Sequence, residues 1–183
     1  PITLEKNLLI SESYGALDLT SNLVVRNYEV DKQTEFLVND FNWSSNKWVS
    51  GVGLENQIQG KLKTVGYNAQ NDTDYKIDDK NAELSGVVGL LTKYGLYKND
   101  KEEKNIFSLI PKTLMRYAPG HMRRVDSGRL KYSNVFDLNK LNQIDVIENG
   151  VSAALGIDFK KNEFSKKSGV GKEKYSVSVG QVI

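Results

Sequence analysis

The sequence holds one histidine, His121, and no cysteine. A lone imidazole without a thiolate leaves a zinc site to be completed by carboxylates. A Ser–His–Asp hydrolase would also have to use His121, and no Gly-x-Ser-x-Gly elbow accompanies it. In Ala118-Pro119-Gly120-His121-Met122-Arg123-Arg124 it reads as a loop histidine. Asp72, Asp74, Asp78 and Asp79 gather in one polar stretch. Clustered carboxylates suit calcium, but the glycine and bidentate glutamate of a calcium loop are missing, so a solvated loop is expected. Arg123, Arg124, Arg129 and Lys131 could pair with lipid phosphates; a solvated basic loop is the simpler reading. No catalytic constellation, metal set or cofactor motif emerges, and a non-enzymatic protein without a cofactor is expected.

The elements that would position these groups follow from composition and period. The chain has 183 residues, with 25 basic and 23 acidic side chains and a net charge of +2. The charges are interspersed, so nothing here argues for nucleic acid. No apolar stretch approaches the roughly 20 residues of a membrane-spanning helix. The mean hydropathy of −0.47 resembles that of a water-soluble protein. It is equally compatible with a membrane barrel, where only every second strand residue meets lipid.

Period two dominates. From Trp48 to Tyr67, Trp48, Val52, Leu54, Ile58 and Leu62 share one parity. Glu55, Gln57, Gln59, Lys61 and Lys63 share the other. A helix would mix these two sets on every face, whereas a strand separates them. In Gly15 to Asn27, Leu17, Leu19, Leu23 and Val25 oppose Asp18, Thr20, Asn22 and Arg26. In Glu83 to Tyr97, Leu84, Val88, Leu90 and Tyr94 oppose Ser85, Gly89 and Lys93. In Gly150 to Glu163, Val151, Leu155, Ile157 and Phe159 oppose Ser152, Ala154, Gly156, Asp158 and Lys160. Tyr175, Val177 and Val179 oppose Ser176, Ser178 and Gly180. Asn105 to Tyr117 alternates less cleanly, Thr34 to Trp43 leaves its faces undecided, and Ile2 to Ser11 reads as a further strand. Polar connections are expected over 68–81, 96–105, 118–149 and 160–174.

A soluble antiparallel sandwich would also alternate. Three features favour a membrane wall. Soluble strands average about 5–6 residues, whereas a tilted spanning strand needs about 9–11, and several runs here exceed ten. The polar face is small as well as polar, as a wet lumen tolerates. Trp43, Trp48, Tyr67, Tyr94, Tyr97, Tyr117 and Tyr175 stand near strand ends, as interfacial girdles do. Backbone in hydrocarbon must be paired, so such strands require a closed barrel. The chain starts at Pro1 and ends within the alternating run Val179 to Ile183. The expected fold is therefore all-β: an antiparallel transmembrane β-barrel segment of about eight consecutive meander strands, part of a larger barrel and cut at both ends.

One stretch points to a family. Pro111 to Pro119 (PKTLMRYAP) is followed by Asp126-Ser127-Gly128-Arg129-Leu130. Next come Ser133-Asn134-Val135-Phe136-Asp137-Leu138-Asn139-Lys140 and Asp145-Val146-Ile147-Glu148-Asn149-Gly150. This resembles the barrel domain of the lipopolysaccharide-assembly family LptD (organic-solvent-tolerance protein). There a polar loop carrying Asn, Phe, a basic residue, Asp, Glu and Gly precedes a strand; the corresponding positions are Asn134, Phe136, Lys140, Asp145, Glu148 and Gly150. Lys140 stands where the family has Arg, and Leu141-Asn142 replaces its aromatic-Gly step. The resemblance covers residues 110–183 and makes residues 1–183 part of a single barrel domain. It implies insertion of lipopolysaccharide into the outer leaflet of the Gram-negative outer membrane. It also implies an LptE-like plug lipoprotein inside the barrel, an LptA-like periplasmic bridge docking on a domain outside this sequence, and contact with outer-membrane lipids. Glu55, Gln57, Gln59, Lys61, Lys63, Ser152, Asp158 and Lys160 would then face a hydrated lumen. Another outer-membrane barrel (a diffusion pore or receptor) and a soluble β-sheet binding domain remain the alternatives.

Overall fold

The computed structural model describes residues 2–27, 32–71, 80–100, 105–120, 131–141, 143–164 and 171–183. Ten strands run in chain order: β1 (Ile2–Ser11), β2 (Gly15–Asn27), β3 (Gln33–Ser44), β4 (Trp48–Val49), β5 (Leu54–Gln70), β6 (Lys80–Tyr94), β7 (Leu96–Asp100), β8 (Asn105–Ala118), β9 (Gly150–Phe164) and β10 (Gly171–Val182). A 3-10 turn at Tyr132–Asn134 is the only helical element among the described residues. All strands join one antiparallel sheet in the order β1-β2-β3-β5-β6-β8-β9-β10, with β4 on β5 and β7 on β8. The all-β meander expected from the alternation is present. The sheet is open: β1 and β10 form its two edges.

Several boundaries differ from the sequence reading; β9 and β10 take up 160–164 and 171–174 of the expected connection 160–174, and two further differences change the fold. The run from Trp48 to Tyr67 is not one strand. It folds back at Ser50–Gly53, where the Gly53 amide donates to Ser50 O and the Ser50 amide to Leu54 O, both at 2.9 Å. Gly53 takes φ +85°, a region open to glycine and costly for other residues. Gly51 and Gly53, which share the parity of Glu55, are thus turn residues, and β4 lies antiparallel on β5. Conversely, Leu96 to Asp100 is strand and not connection. Lys93 faces Lys112 and Leu96 faces Leu109, so β6 and β7 follow one register along β8. The break falls at Gly95, beside Pro111, which has no N–H to give to a ladder.

The hairpin ends at Ser11–Gly15 and Ser44–Trp48 are tied together. Trp43 Nε1 donates to Tyr14 O at 2.8 Å, and the Asn46 amide reaches the carbonyls of Ser11 (3.2 Å) and Glu12. Gly15 passes so close to β3 that a Cβ would fall 2.0 Å from Ser44 O.

The sheet has two unlike faces. One is open and apolar: Leu37, Leu62, Leu84, Val88, Met115, Val151, Leu155 and Val177 all stand exposed on it. The other is covered by residues 131–149, which return from the end of β8 across the sheet. Three apolar clusters form there. Phe36, Val38, Val65, Tyr67 and Ala69 pack with Ile144. Leu91, Leu114 and Ala154 pack with Val135, Phe136 and Leu138, and Val87 and Ala118 with Ile147. This settles the faces of β3, where Thr34, Phe36, Val38 and Asp40 are buried while Leu37 is exposed.

Candidate functional site

Among the described residues, the buried charges all lie on the covered face or in the segment over it: Asp40, Lys63, Arg116, Lys140 and Asp145. The segment is first folded upon itself by two asparagines. Asn134 Oδ1 accepts from the Lys131 amide at 2.7 Å, and its Nδ2 donates to Lys140 O at 3.1 Å. Asn139 Oδ1 accepts from the Glu148 amide at 3.0 Å, while its Nδ2 donates to Val146 O at 2.9 Å. Side chains of this type satisfy backbone groups where no ladder does. The carbonyls so used are held in place for the next contacts.

Three ionic staples then fix the segment to the sheet. At the first, Lys63 of β5 lies 2.7 Å from Asp40 Oδ1 of β3, its register partner, and donates also to Ile144 O. Lys63 is only 2% exposed, so this ammonium sits in a dry place. At the second, Arg116 of β8 meets the Glu148 carboxylate at 3.5 Å and donates to the Glu148 carbonyl. Lys140 reaches the same carboxylate at 3.3 Å and Ser152 Oγ of β9 at 3.2 Å. Burial lowers the Lys140 pKa, against the opposing pull of Glu148. At the third, buried Asp145 faces Arg26 of β2 at 3.9 Å.

Two glycines seat the apolar side chains between the staples. A Cβ on Gly156 would lie 2.6 Å from Phe136 Cζ, and one on Gly89 would lie 2.6 Å from Leu138 Cδ2. The Lys112 ammonium sits 4.3 Å from the Phe136 ring centroid and 2.8 Å from Asp158, which also accepts from Ser178 at 2.7 Å. The Phe136 ring is therefore held from beneath by backbone and from the side by a cation.

The residues singled out from the sequence distribute as follows. Five of the six motif positions act in the segment: Asn134, Lys140, Asp145 and Glu148 by polar contacts and Phe136 by packing. Gly150 starts β9 at φ +96°. Lys63 and Ser152 lie under the segment. Lys61 stands 3.8 Å from Asp40. Glu55, Gln57 and Gln59 continue the same face beyond the segment's edge, with Glu55 paired to Lys47 at 3.0 Å and Gln57 donating to Ser45 O at 3.0 Å. Asp158 is held by Lys112, and Lys160 pairs with Glu173 at 3.3 Å. A polar crevice of about 350 Å³ opens where the segment's edge meets β5, lined by Asp18, Asn42, Gln59, Lys61, Asp137 and Asn139. His121, Asp72, Asp74, Asp78, Asp79, Arg123, Arg124 and Arg129 lie outside the described residues. Asp40, Arg116, Lys112, Arg26 and Asn139 act at the site without having been singled out. Arg116 carried a usable signal, being a charge on the parity opposite Phe107, Leu109, Met115 and Tyr117; Asp40 carried none, since the faces of β3 were undecided.

Compared with known proteins, the sequence matches no family model and no curated protein.

Proposed function

We propose that the chain is a stretch of wall from a larger outer-membrane β-barrel, and that this barrel delivers lipopolysaccharide to the outer leaflet. The reading rests on one observation above others. The stretch that resembles the LptD loop is the stretch that folds back over the polar face, and its motif residues hold it there. An exposed apolar face on the same sheet supports a wall that meets lipid, since about 25 Å of apolar band is what a bilayer asks of a barrel. The covered face would then line the lumen, where lipopolysaccharide and an LptE-like plug lipoprotein are its partners. An LptA-like bridge would dock on a part of the protein outside this sequence.

The test is made on the full-length protein in its own cell. Its depletion should lower lipopolysaccharide at the cell surface, read by a probe that cannot cross the outer membrane, and cause precursor to accumulate inside. Unchanged surface lipopolysaccharide after depletion would overturn the assignment. Ion conductance by the purified barrel without any plug partner would favour a diffusion pore instead.

A further inference from the structure

The open face ends in a row of unusual composition. Lys98 of β7 faces Phe107 of β8, Phe107 faces Lys161 of β9, and Lys161 faces Tyr175 of β10. Cations and aromatics thus alternate across four adjacent strands at one level. The next row inward is Leu96, Leu109, Phe159 and Val177, all apolar. Rings join the two rows: Phe159 lies 6.4 Å from Phe107 and 5.9 Å from Tyr175. Lys161 Nζ sits 5.2 Å from the Phe107 centroid. Just beyond, Lys174 and Glu163 neutralise each other at 2.6 Å. Neither Lys98 nor Lys161 has a carboxylate within ion-pair distance among the described residues. Two ammonium groups therefore stand at the boundary of an apolar belt, Lys161 over the Phe107 ring and Lys98 in register with it.

We infer that this row is a docking site for anionic phospholipid headgroups. The inference rests on the membrane reading above, and adds to it a headgroup chemistry. Aromatic side chains sit at headgroup depth in membrane barrels, and the apolar rows beneath accept acyl chains. Lysines at that depth are placed for phosphate, each worth roughly fivefold in preference for an anionic surface. The chain direction identifies the leaflet. The row lies at the end of the sheet where β1 turns into β2 within three residues, 12–14. The opposite end carries the connection over residues 119–149. Barrels keep short turns on the periplasmic side and long loops outside. The row thus faces the periplasmic leaflet, and its ligand is a glycerophospholipid.

The full chain is folded into detergent micelles and vesicles. Entry into phosphatidylcholine vesicles tests the membrane reading by itself, and failure to enter would sink both proposals. For the inserted protein, retained lipids are weighed by native mass spectrometry after exposure to equal phosphatidylglycerol and phosphatidylethanolamine. The wild type should retain phosphatidylglycerol preferentially, by about tenfold or more from two lysines. The pair Lys98→Gln and Lys161→Gln should abolish the preference, and Lys98→Arg with Lys161→Arg should keep it. Entry with equal retention of both lipids, or a preference that survives the Gln pair, would overturn the inference while leaving the wall intact. Displacement by inorganic phosphate would make the row a free-anion site and also overturn it.

Discussion

Phe136 rests directly on the backbone of Gly156, so closely that a Cβ there would lie 2.6 Å from Phe136 Cζ and 2.7 Å from Val179 O. The backbone oxygen cannot yield, so Gly156→Ala must push the ring and β10 apart together. Overpacking of this kind costs about 1–3 kcal/mol. The expected result is a lower denaturant midpoint with an unchanged slope. In Phe136→Ala the ring contact is gone, and adding Gly156→Ala to it should cost less than in the wild type. Strict additivity of the two would mean that the ring does not sit on Gly156.

The buried pair of Lys63 and Asp40 calls for an asymmetric outcome. Lys63→Met leaves the Asp40 carboxylate beside Lys61 alone, at 3.8 Å, and strands the Ile144 carbonyl. Breaking one side of a buried pair costs about 3–5 kcal/mol. Replacing both, Lys63→Met with Asp40→Leu, should recover most of that loss, because the desolvation of both charges is then avoided. Thermal or denaturant unfolding of the three variants gives the comparison. A double variant as unstable as Lys63→Met would show that the lysine acts chiefly through the Ile144 carbonyl.

The contrast between these two contacts shows what was legible in the sequence. Strand parity was plain, because period two is a local signal. It places Lys63, Ser152 and Asp158 on the polar faces of their strands. Gly89 and Gly156 were also read on those faces, but as small residues of a wet wall. Their actual reason, to seat Leu138 and Phe136, depends on a segment that crosses the sheet, and no local pattern records that. The partnership of Asp40 with Lys63 needs the register of β3 on β5, which alternation leaves open by steps of two. Gly53 fitted the alternation and nevertheless turns the chain, since period two carries no information about φ.

The Glu148 cluster should make docking of the segment depend on pH at both ends. Burial holds Lys140 below its ordinary 10.5, with Glu148 opposing. Between the folded value and 10.5 the unfolded chain binds the extra proton, so stability rises with pH through that window. Partial desolvation holds Asp137 above its ordinary 3.8, with Lys61 and Lys140 opposing. Here the folded state binds the extra proton, so its contribution is complete below 3.8 and is lost as pH rises through the folded value. Amide exchange of residues 131–149 should slow as pH rises through the alkaline window, after correction for intrinsic rates. Lys140→Met should flatten the alkaline limb. A limb of unchanged steepness in the variant would assign it to another group.

Glu148→Gln tests the same cluster by charge. It leaves Arg116 and Lys140 facing each other with no carboxylate between them. Removing the one anion of a buried cluster costs about 3–5 kcal/mol. Lys140→Met should cost about 1 kcal/mol or less, because Glu148 keeps Arg116 as partner. Limited proteolysis within residues 131–149 should therefore accelerate strongly in the first variant and little in the second. Equal acceleration would mean that the segment is held by its apolar contacts and not by the staples.

The open face provides the sharpest division between a membrane wall and a sheet in water. Leu155 is 46% exposed, with Leu91, Leu114 and Ala154 packed on the other side of the sheet. In water, Leu155→Arg would place a charge where solvent already reaches, and surface changes of that kind fall within about 0.5 kcal/mol. In a bilayer the same arginine near the midplane costs about 2–4 kcal/mol. Gln57→Arg, on the opposite parity, should be tolerated in both settings. Folding yield into phosphatidylcholine vesicles, scored by protease protection, should fall for Leu155→Arg and hold for Gln57→Arg. Equal yields for the two would remove the lipid from this face and with it the barrel wall.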